Sequence, residues 1–587
     1  MIFCAKCGTR MKTGIRGFAR CPKCGSTEQL KKAVLTESFP FRSMRPFQED
    51  VLKQIDQALA SSKRFILLEA PVGFGKSAVA AALCKHLQSA YLLTSTKQLQ
   101  DQYSADFSFP PVIGKSNFTC CVPTSSGSHV ACSKGRCEAD WTLEQCPHFI
   151  SFDDYDLHKR GRHTKNSKCE HLKDDRMCPY YMQKWDAFRA KVAVANYSFF
   201  LSELRYTDDV RKRKLLVCDE AHDLEKHLVG FASYSLRRSM LESYRGTSEA
   251  WSPSMPSGGD VDAGAWIEVL RRSNELLDSF IEMRMENPDM QDKVATARGA
   301  QRSLEGFIEE LKKDPENWVV NKVRRMVGID GGDSVEEVIF QPLEVGSYTK
   351  QLFESAETIL LMSATLSSGE LFSRTFGIPP DQSCFIRVRD STFPVENRPI
   401  RAMDVAHLSR TSMDSSLERI AQAVDSIMDN HATERGVVHT TSYQQANFII
   451  QHVSETNRAR LVSTEGSSNR SSLLKTHSWT DASVLISPSL YQGVDLKDDL
   501  SRFQVVVKVP FPDLSERRTQ VKLERDPAWY AWQTALRLVQ TYGRSVRSET
   551  DHATTYILDS NFTNFIAKNS DLFPRYFLDA IEVRGVA

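Results

Sequence analysis

The sequence predicts an α/β protein built on two parallel-sheet units, interrupted by a cysteine-rich insertion and a helical insertion and preceded by a small metal-binding segment. Three observations predict it. Short β-rich apolar runs alternate with amphipathic helical stretches from about residue 35 (RFILLEA, SAVAAALCKHLQ, AYLLTST), the rhythm of helices packed on a parallel sheet. A second such series follows near the C-terminus: GVVHTTSY, ARLVSTE, SVLISPS, FQVVVKVPFP and TTYILD. Cysteines are concentrated, with four in residues 4–24 and seven in residues 120–178 of the 14 in the chain.

At 587 residues the chain exceeds what one core serves, so several domains are expected. Hydrophobic residues at 41% and charged residues at 25% are globular values, and no apolar run reaches the roughly 20 residues of a bilayer span. The start MIFCAKCGTR has neither a signal-peptide core nor an Arg-rich targeting pattern, which implies an intracellular protein, cytoplasmic if prokaryotic or viral. A net charge of +1 supplies no general attraction for nucleic acid, so any such affinity must come from local grooves.

Taken in order, residues 1–30 read as a zinc ribbon, in which CAKCG and CPKCG present Cys4, Cys7, Cys21 and Cys24 at tetrahedral Zn2+ spacing and the metal supplies the folding free energy. The first sheet unit begins at 31–105. Residues 106–189 are polar, rich in Cys, Gly, Ser and basic residues and without regular periodicity, as expected of a module held by something other than an apolar core. The sheet resumes at 190–230 with KVAVANYSFF and KLLVCDEAH. Residues 231–345 read as mostly helical, with stripes at Trp266, Ile267, Leu270, Leu277, Phe280 and Ile281 and at Leu304, Phe307, Ile308 and Leu311. Residues 346–395, with TILLMSATL, complete the first unit, and 396–587 form the second. Cys84, Cys218 and Cys384 lie in apolar or mixed segments and are expected as small core residues.

The strand RFILLEA runs into APVGFGKS and then a helix, the context that makes a phosphate-binding loop specific. Gly73 and Gly75 let backbone N–H groups turn toward phosphate oxygens, Lys76 would reach the β and γ phosphates, and the Ser77 hydroxyl would sit on Mg2+. Ala70 replaces the first glycine of the usual pattern. In KLLVCDEAH, Asp219 would hold magnesium and Glu220 polarise the attacking water. Phe47 and Gln48 of RPFQED could stack on and hydrogen-bond a base. QTYGRSVR puts Arg544 and Arg547 three residues apart, expected on one helical face with Gln540 a turn earlier, as two cations suited to a γ-phosphate transition state.

The pieces RPFQ, APVGFGKS, LLTSTKQLQDQY, DEAH, MSATL, VVHTTSY, PSLYQGVDL and QTYGRSVR occur in an order that resembles the motifs of superfamily 2 helicases, over nearly all of residues 38–560. A cysteine-rich insertion between TSTKQL and DEAH and a helical one between DEAH and SAT narrow the resemblance to the XPD/DinG iron-sulfur helicases. The resemblance implies two RecA-like motor domains, a helical arch insertion, and an ATP-dependent, 5′ to 3′ single-strand translocase that unwinds duplex or R-loop-like DNA. It implies that Ser363, Ala364 and Thr365 couple hydrolysis to domain movement, that Gly493 and Asp495 lie near the nucleotide, and that Thr96, Gln98 and Thr440 lie near the DNA backbone.

GKSNFTC resembles the family's GRxNYxC, and CPYYMQKWDAF resembles its CPYFxxR, which the resemblance implies are the ends of a four-iron four-sulfur site at Cys120 and Cys178. Five cysteines compete for the two middle places: Cys121, Cys132, Cys137, Cys146 and Cys169. Cys137 and Cys146 are the expected pair, with Cys169 as substitute, and the spacing equally allows zinc. Lys159, Arg160 and Arg162 of HKRGRH are suited to phosphate contact, or to a solvated loop. The same alternatives apply to VRKRK ahead of DEAH. The expected partners are single-stranded and forked DNA, with a monomeric motor. The motifs equally fit a DNA-stimulated ATPase that remodels without unwinding, recruited through the zinc ribbon to a repair, transcription or CRISPR-type complex.

Overall fold

The computed structural model describes residues 12–13, 18–20, 22–23, 27–29, 34–123, 127–135, 137, 145–160, 177–244, 263–287, 290–327, 332–408, 413–463, 470–488, 496 and 498–582. Three short antiparallel strands, β1 (Lys12–Thr13), β2 (Phe18–Arg20) and β3 (Thr27–Gln29), form the N-terminal element. Cys4, Cys7, Cys21 and Cys24 lie outside the described residues.

The next strands in the chain are β4 (Phe65–Glu69), β5 (Ala90–Thr94), β6 (Val192–Asn196) and β7 (Arg213–Asp219). After β8 (Tyr234–Arg237), β9 (Trp318–Val327) and β10 (Gly332–Pro342) come β11 (Ala356–Ser363) and β12 (Ser383–Arg387). The first parallel sheet has the order β12-β4-β11-β7-β5-β6. Every residue of β4 and β5 is buried, because helices cover both faces of a parallel sheet. Register matters for chemistry: Ser363 pairs with Glu69 and Met362 with Asp219, so the loops after β4, β11 and β7 leave the same edge side by side.

The second sheet, also parallel, comprises β13 (Ile400–Ala406), β14 (Gly436–His439), β15 (Leu461–Ser463), β16 (Val484–Ser487), β17 (Phe503–Val506) and β18 (Thr554–Asp559), in the order β13-β18-β17-β14-β16-β15. Cys84 and Cys218 are buried core residues and Cys384 packs half-buried against the same core.

One expectation is corrected and another extended. The cysteine-rich insertion does have an apolar core, and it is continuous with that of the first sheet. Ile150, Tyr155, Met177, Tyr180, Tyr181 and Trp185 join one buried cluster with Tyr91, Leu93 and Leu216. The helix Pro179–Arg189 turns Phe188 onto Tyr91 and Trp185 onto Phe188, and the Trp185 indole donates to the Ile150 carbonyl at 2.8 Å. The insertion is richer in large aromatic residues than the chain as a whole, so a composition that otherwise looks polar still buries a core. The second insertion is not only helical. The hairpin of helices Ala263–Arg284 and Gln291–Lys313 buries both expected stripes, with Ile267 only partly covered, against an antiparallel sheet of order β8-β10-β9. WVVNKVRRMV and SVEEVIF carry β-branched valines among charges without a clean alternation, so their strand signal is weak.

Candidate nucleotide site and cysteine cavity

The loop between β4 and the helix Lys76–Leu87 has Gly73 and Gly75 in the left-handed region, at φ 80° and 87°. A Cβ on Gly73 would stand 2.0 Å from the Phe393 ring, so only glycine fits. Lys76 Nζ is held by the carbonyls of Ala70 and Pro71 at 3.0 and 3.4 Å, beside the loop's N–H groups. Burial lowers the proton affinity of this ammonium, with Glu220 and Asp219 acting in the opposite direction and Arg547 adding to the fall.

Asp219 ends β7, and Glu220 follows with a left-handed φ of 51°. Burial and the neighbouring Glu220 push the Asp219 carboxyl up to about 7. Burial alone would also raise Glu220, but His222, Lys76 and Arg544 outweigh it and hold that carboxyl at about 2. The pair is thereby split, one acid able to exchange a proton for a cation and the other ionised as a base must be. His222 links this edge to the next strand: its Nδ1 lies 2.8 Å from the Ser363 hydroxyl and 3.2 Å from Glu220. Ser363 Oγ also accepts from the Thr365 N–H at 3.2 Å, and the Tyr576 hydroxyl donates to the Ala364 carbonyl at 3.3 Å.

Three residues that sequence reasoning missed hold the site together. Tyr103 hydrogen-bonds Ser77 and donates to Asp219 Oδ2 at 2.8 Å, joining the two side chains expected around Mg2+. Its signal was present as the last letter of LLTSTKQLQDQY. Glu69, 1% exposed, accepts the N–H groups of Leu366 and Ser367 at 2.7 Å each and pairs with Arg387 at 2.6 Å, tying the loop after β11 to the phosphate-binding strand. His222 stood in DEAH itself.

The second sheet contributes from across the cleft. Arg544 is close enough to act on Glu220 and His222, and Arg547 on Lys76. The expected shared helical face is corrected: the helix Pro527–Tyr542 ends at the Gly543 cap, so Gln540 is helical while Arg544 and Arg547 lie in the turn beyond. Gly543 follows the last helical residue directly, and its N–H still bonds the Val539 carbonyl at 3.1 Å. Arg544 still reaches back to the Gln540 Oε1 at 3.5 Å.

Gln48 is spoken for in this state: its amide donates to the Phe74 and Gly75 carbonyls at 2.7 and 3.4 Å, and its Oε1 accepts from the Arg45 N–H at 2.8 Å. Phe47, at φ 66°, stays exposed beside it. Gly493 and Asp495 lie outside the described residues.

Thr96 caps the helix Lys97–Phe107 by accepting from the Leu99 N–H at 3.3 Å, with Gln98 exposed in its first turn. Thr440 is buried just past β14, its N–H bonded to the Ser487 carbonyl at 3.2 Å. Lys159 rests over the Tyr155 ring and Arg160 pairs with Asp156 at 2.8 Å, so both cations have local partners. Arg162 and Cys169 lie outside the described residues.

Cys120, Cys121, Cys132, Cys137, Cys146 and Cys178 line a single cavity, walled otherwise by aromatic and aliphatic groups such as Phe149, Tyr180 and Tyr181. Cys120 and Cys132 are brought together by a two-stranded pairing, Cys120 N–H to the Val130 carbonyl at 2.8 Å and Cys132 N–H to Phe118 at 2.7 Å. The Cys178 N–H donates to the His148 carbonyl at 2.8 Å, which fastens the helix start to the Cys146 turn. A Cβ on Gly135 would meet Cys120 Sγ at 2.9 Å. Among the described residues no three His, Cys, Asp or Glu side chains already stand at metal-binding geometry.

Known proteins bear on this arrangement in three ways. Residues 426–578 match the family model described as helicase C-terminal domain, and residues 42–246 match that of the type III restriction enzyme res subunit. A probable ATP-dependent helicase of Methanocaldococcus jannaschii is 21% identical over 92% of this chain and 94% of its own length. A solved XPD helicase superposes with a TM-score of 0.57 at 17% identity, covering 91% of this chain and 98% of its own. The solved Xpd4 of S. tokodaii superposes with a TM-score of 0.53 at 15% identity, covering 92% and 100%. With the helicase-domain match and the helicase relative, the two parallel-sheet domains, the phosphate loop and the acid pair facing it identify an ATP-hydrolysing helicase. In fold it is similar to the XPD helicases.

Proposed function

We propose that the protein translocates 5′ to 3′ on single-stranded DNA and separates duplex or R-loop-like strands at the expense of ATP. The observation that supports the ATP-driven part is the position of Arg544 and Arg547, which belong to the second domain yet act electrostatically on Glu220 and Lys76 of the first; the direction and the DNA substrate rest on the family resemblance. A γ-phosphate lying between them would hold the domains closed, and its departure would release them. In this reading Lys76, Gly73 and Gly75 cradle the phosphates, Ser77 and Asp219 hold the metal, and Glu220 takes the proton of the attacking water, with Gln540 close to Arg544. Mg2+, when bound, would neutralise charge building on the β and γ phosphates. Thr96, Gln98 and Thr440 stand at carboxyl ends of strands in the two sheets, suited to backbone contacts that grip without reading sequence.

The cysteine cavity suits an iron-sulfur cluster, since soft thiolates converge on it in an apolar surround. The structure favours Cys132 over Cys137 as a ligand. Cys132 hydrogen-bonds Cys178 and lies against Cys120, while Cys146 lies against both and accepts N–H groups from His148 and Phe149. Cys120, Cys132 and Cys146 are buried and Cys137 and Cys178 are both half-buried, but Cys178 is tied to Cys132 by a hydrogen bond, and Cys121 is adjacent to a ligand already counted. The set is therefore Cys120, Cys132, Cys146 and Cys178. A cluster there would cross-link the two ends of the insertion to the helix that packs on the first sheet. The N-terminal cysteines are proposed to hold Zn2+.

The test is a labelled forked duplex with either a 5′ or a 3′ single-stranded tail, with ATP and anaerobically purified protein. Separation from the 5′ tail alone is expected. Separation from the 3′ tail would overturn the polarity, and DNA-stimulated hydrolysis without separation from either would establish a remodelling ATPase instead.

A further inference from the structure

The helical insertion enters and leaves the chain within the first motor domain, yet its base is fastened to the second. Arg518, on the helix Arg517–Arg525 of the second domain, is 9% exposed. Its Nε donates to the Pro342 carbonyl at 2.8 Å and its Nη2 to that of Leu343 at 2.9 Å, at the exit of β10. One helical turn on, Lys522 pairs with Glu344 at 2.8 Å and Val521 packs on Val319 and Leu343. The Arg517 N–H donates to Asn321 Oδ1 at 3.0 Å, so both β9 and β10 are gripped.

The same guanidinium pairs with Glu225, which lies on the helix Leu224–Ala232 directly after Asp219 and Glu220 and is itself 5% exposed. Glu225 Oε2 accepts from the Trp529 indole at 2.9 Å and from Gln533 Nε2 at 3.3 Å. Trp529, Gln533, Leu536 and Gln540 follow one another at spacings of four, three and four along the helix Pro527–Tyr542, so they share one stripe. That stripe, with His222, lines one groove between the domains. One continuous helix thus joins Gln540, which meets Arg544, to Glu225 of the first domain, and Arg518 joins Glu225 to the insertion's base. Two nearly desolvated charges are costly to bury, and breaking such a pair by removing one partner is costlier than replacing both.

We propose that Arg518 is a positioning residue that holds the base of the helical insertion to the second motor domain, with Glu225 of the first domain as its counter-charge when the cleft is closed, so that the insertion moves with the second domain as the cleft opens and closes and hydrolysis is converted into strand separation. The consequence for unwinding rests on the proposed function, whereas the movement itself does not. The test compares the full-length protein with the double variant Glu225→Gln, Arg518→Met, which leaves no lone buried charge. Fluorophores on non-natural residues at exposed positions report two distances: Met283 in the insertion to Tyr206 in the first domain, and Met283 to Trp479 in the second.

On adding ADP with beryllium fluoride, the wild type is expected to change the first distance and keep the second. The double variant is expected to reverse this, and to retain single-strand-stimulated ATP hydrolysis within about twofold while opening about tenfold fewer base pairs per ATP. An insertion that stays with the first domain in the wild type, no distance change at all, or a double variant indistinguishable from wild type in the distances would overturn the proposal. A wild type that shows the coupled movement but unwinds neither fork would support the coupling and overturn the proposed unwinding.

Discussion

At the scale of the residue, the acid pair decides how the motor responds to pH and to substitution. The Asp219 carboxyl is raised to about 7 in the metal-free site and Glu220 held at about 2. A cation at Asp219 needs the ionised form, so a proton competes with it below the raised value. Magnesium affinity of the nucleotide-free protein is expected to weaken progressively as pH falls through about 7, measured by titration calorimetry, while Glu220 stays ionised throughout. A pH-independent affinity from 6 to 8 would refute the split. Lys76→Ala and Glu220→Gln are each expected to lower DNA-stimulated hydrolysis by on the order of a hundredfold or more with an unchanged melting temperature, since each removes a charge used at the γ-phosphate. Tyr103→Phe, which loses the bridge from Ser77 to Asp219, is expected to raise the magnesium requirement without abolishing turnover.

At the scale of the element, the insertion's helix Pro179–Arg189 and its cysteine turns form one unit. Anaerobically purified protein is expected to be brown, and Cys178→Ser and Cys132→Ser to bleach it and lower iron content, while Cys137→Ser keeps both. Loss of colour in Cys137→Ser with retention in Cys132→Ser would restore the assignment made from spacing, and a colourless wild type carrying zinc would replace iron altogether. Spacing left this choice open because CEADWTLEQCPHF and CEHLKDDRMCPYY are near-duplicates, and the pairing of Phe118–Cys120 with Val130–Cys132 brings Cys132 to the cavity as well. The phosphate loop behaves oppositely. Its strand, glycines and helix are contiguous, so the sequence held the whole of it except Phe393, whose ring forbids any side chain at position 73.

At the scale of the whole molecule, closure of two domains on one nucleotide is a binding equilibrium. A non-hydrolysable analogue at about 100 times its Kd stabilises the bound form by about 2.7 kcal/mol. Arg544→Ala is expected to shrink the thermal shift produced by a γ-phosphate mimic while leaving that produced by ADP unchanged, because Arg544 reaches Glu220 and His222 from the far domain. Equal shifts for the two ligands in wild type and variant would mean that the cleft does not close on the γ-phosphate. With a net charge of +1, strand binding should arise from a few grooves and lose affinity with salt only in proportion to the phosphates contacted there.

By itself the sequence determined the parallel sheets, the phosphate loop and the acid pair, and through the order of motifs the class of motor, because each of these is written in neighbouring residues whose spacing follows from local geometry. Tertiary structure alone decided that Arg544 and Arg547 leave their helix before reaching the cleft, that Tyr103 joins Ser77 to Asp219, that Cys132 faces Cys178, and that the helical insertion is bolted to the domain it does not belong to. Those contacts join residues far apart in the chain, and which of several chemically equivalent side chains meets a partner is settled by how the sheets and helices pack, not by any spacing along the sequence.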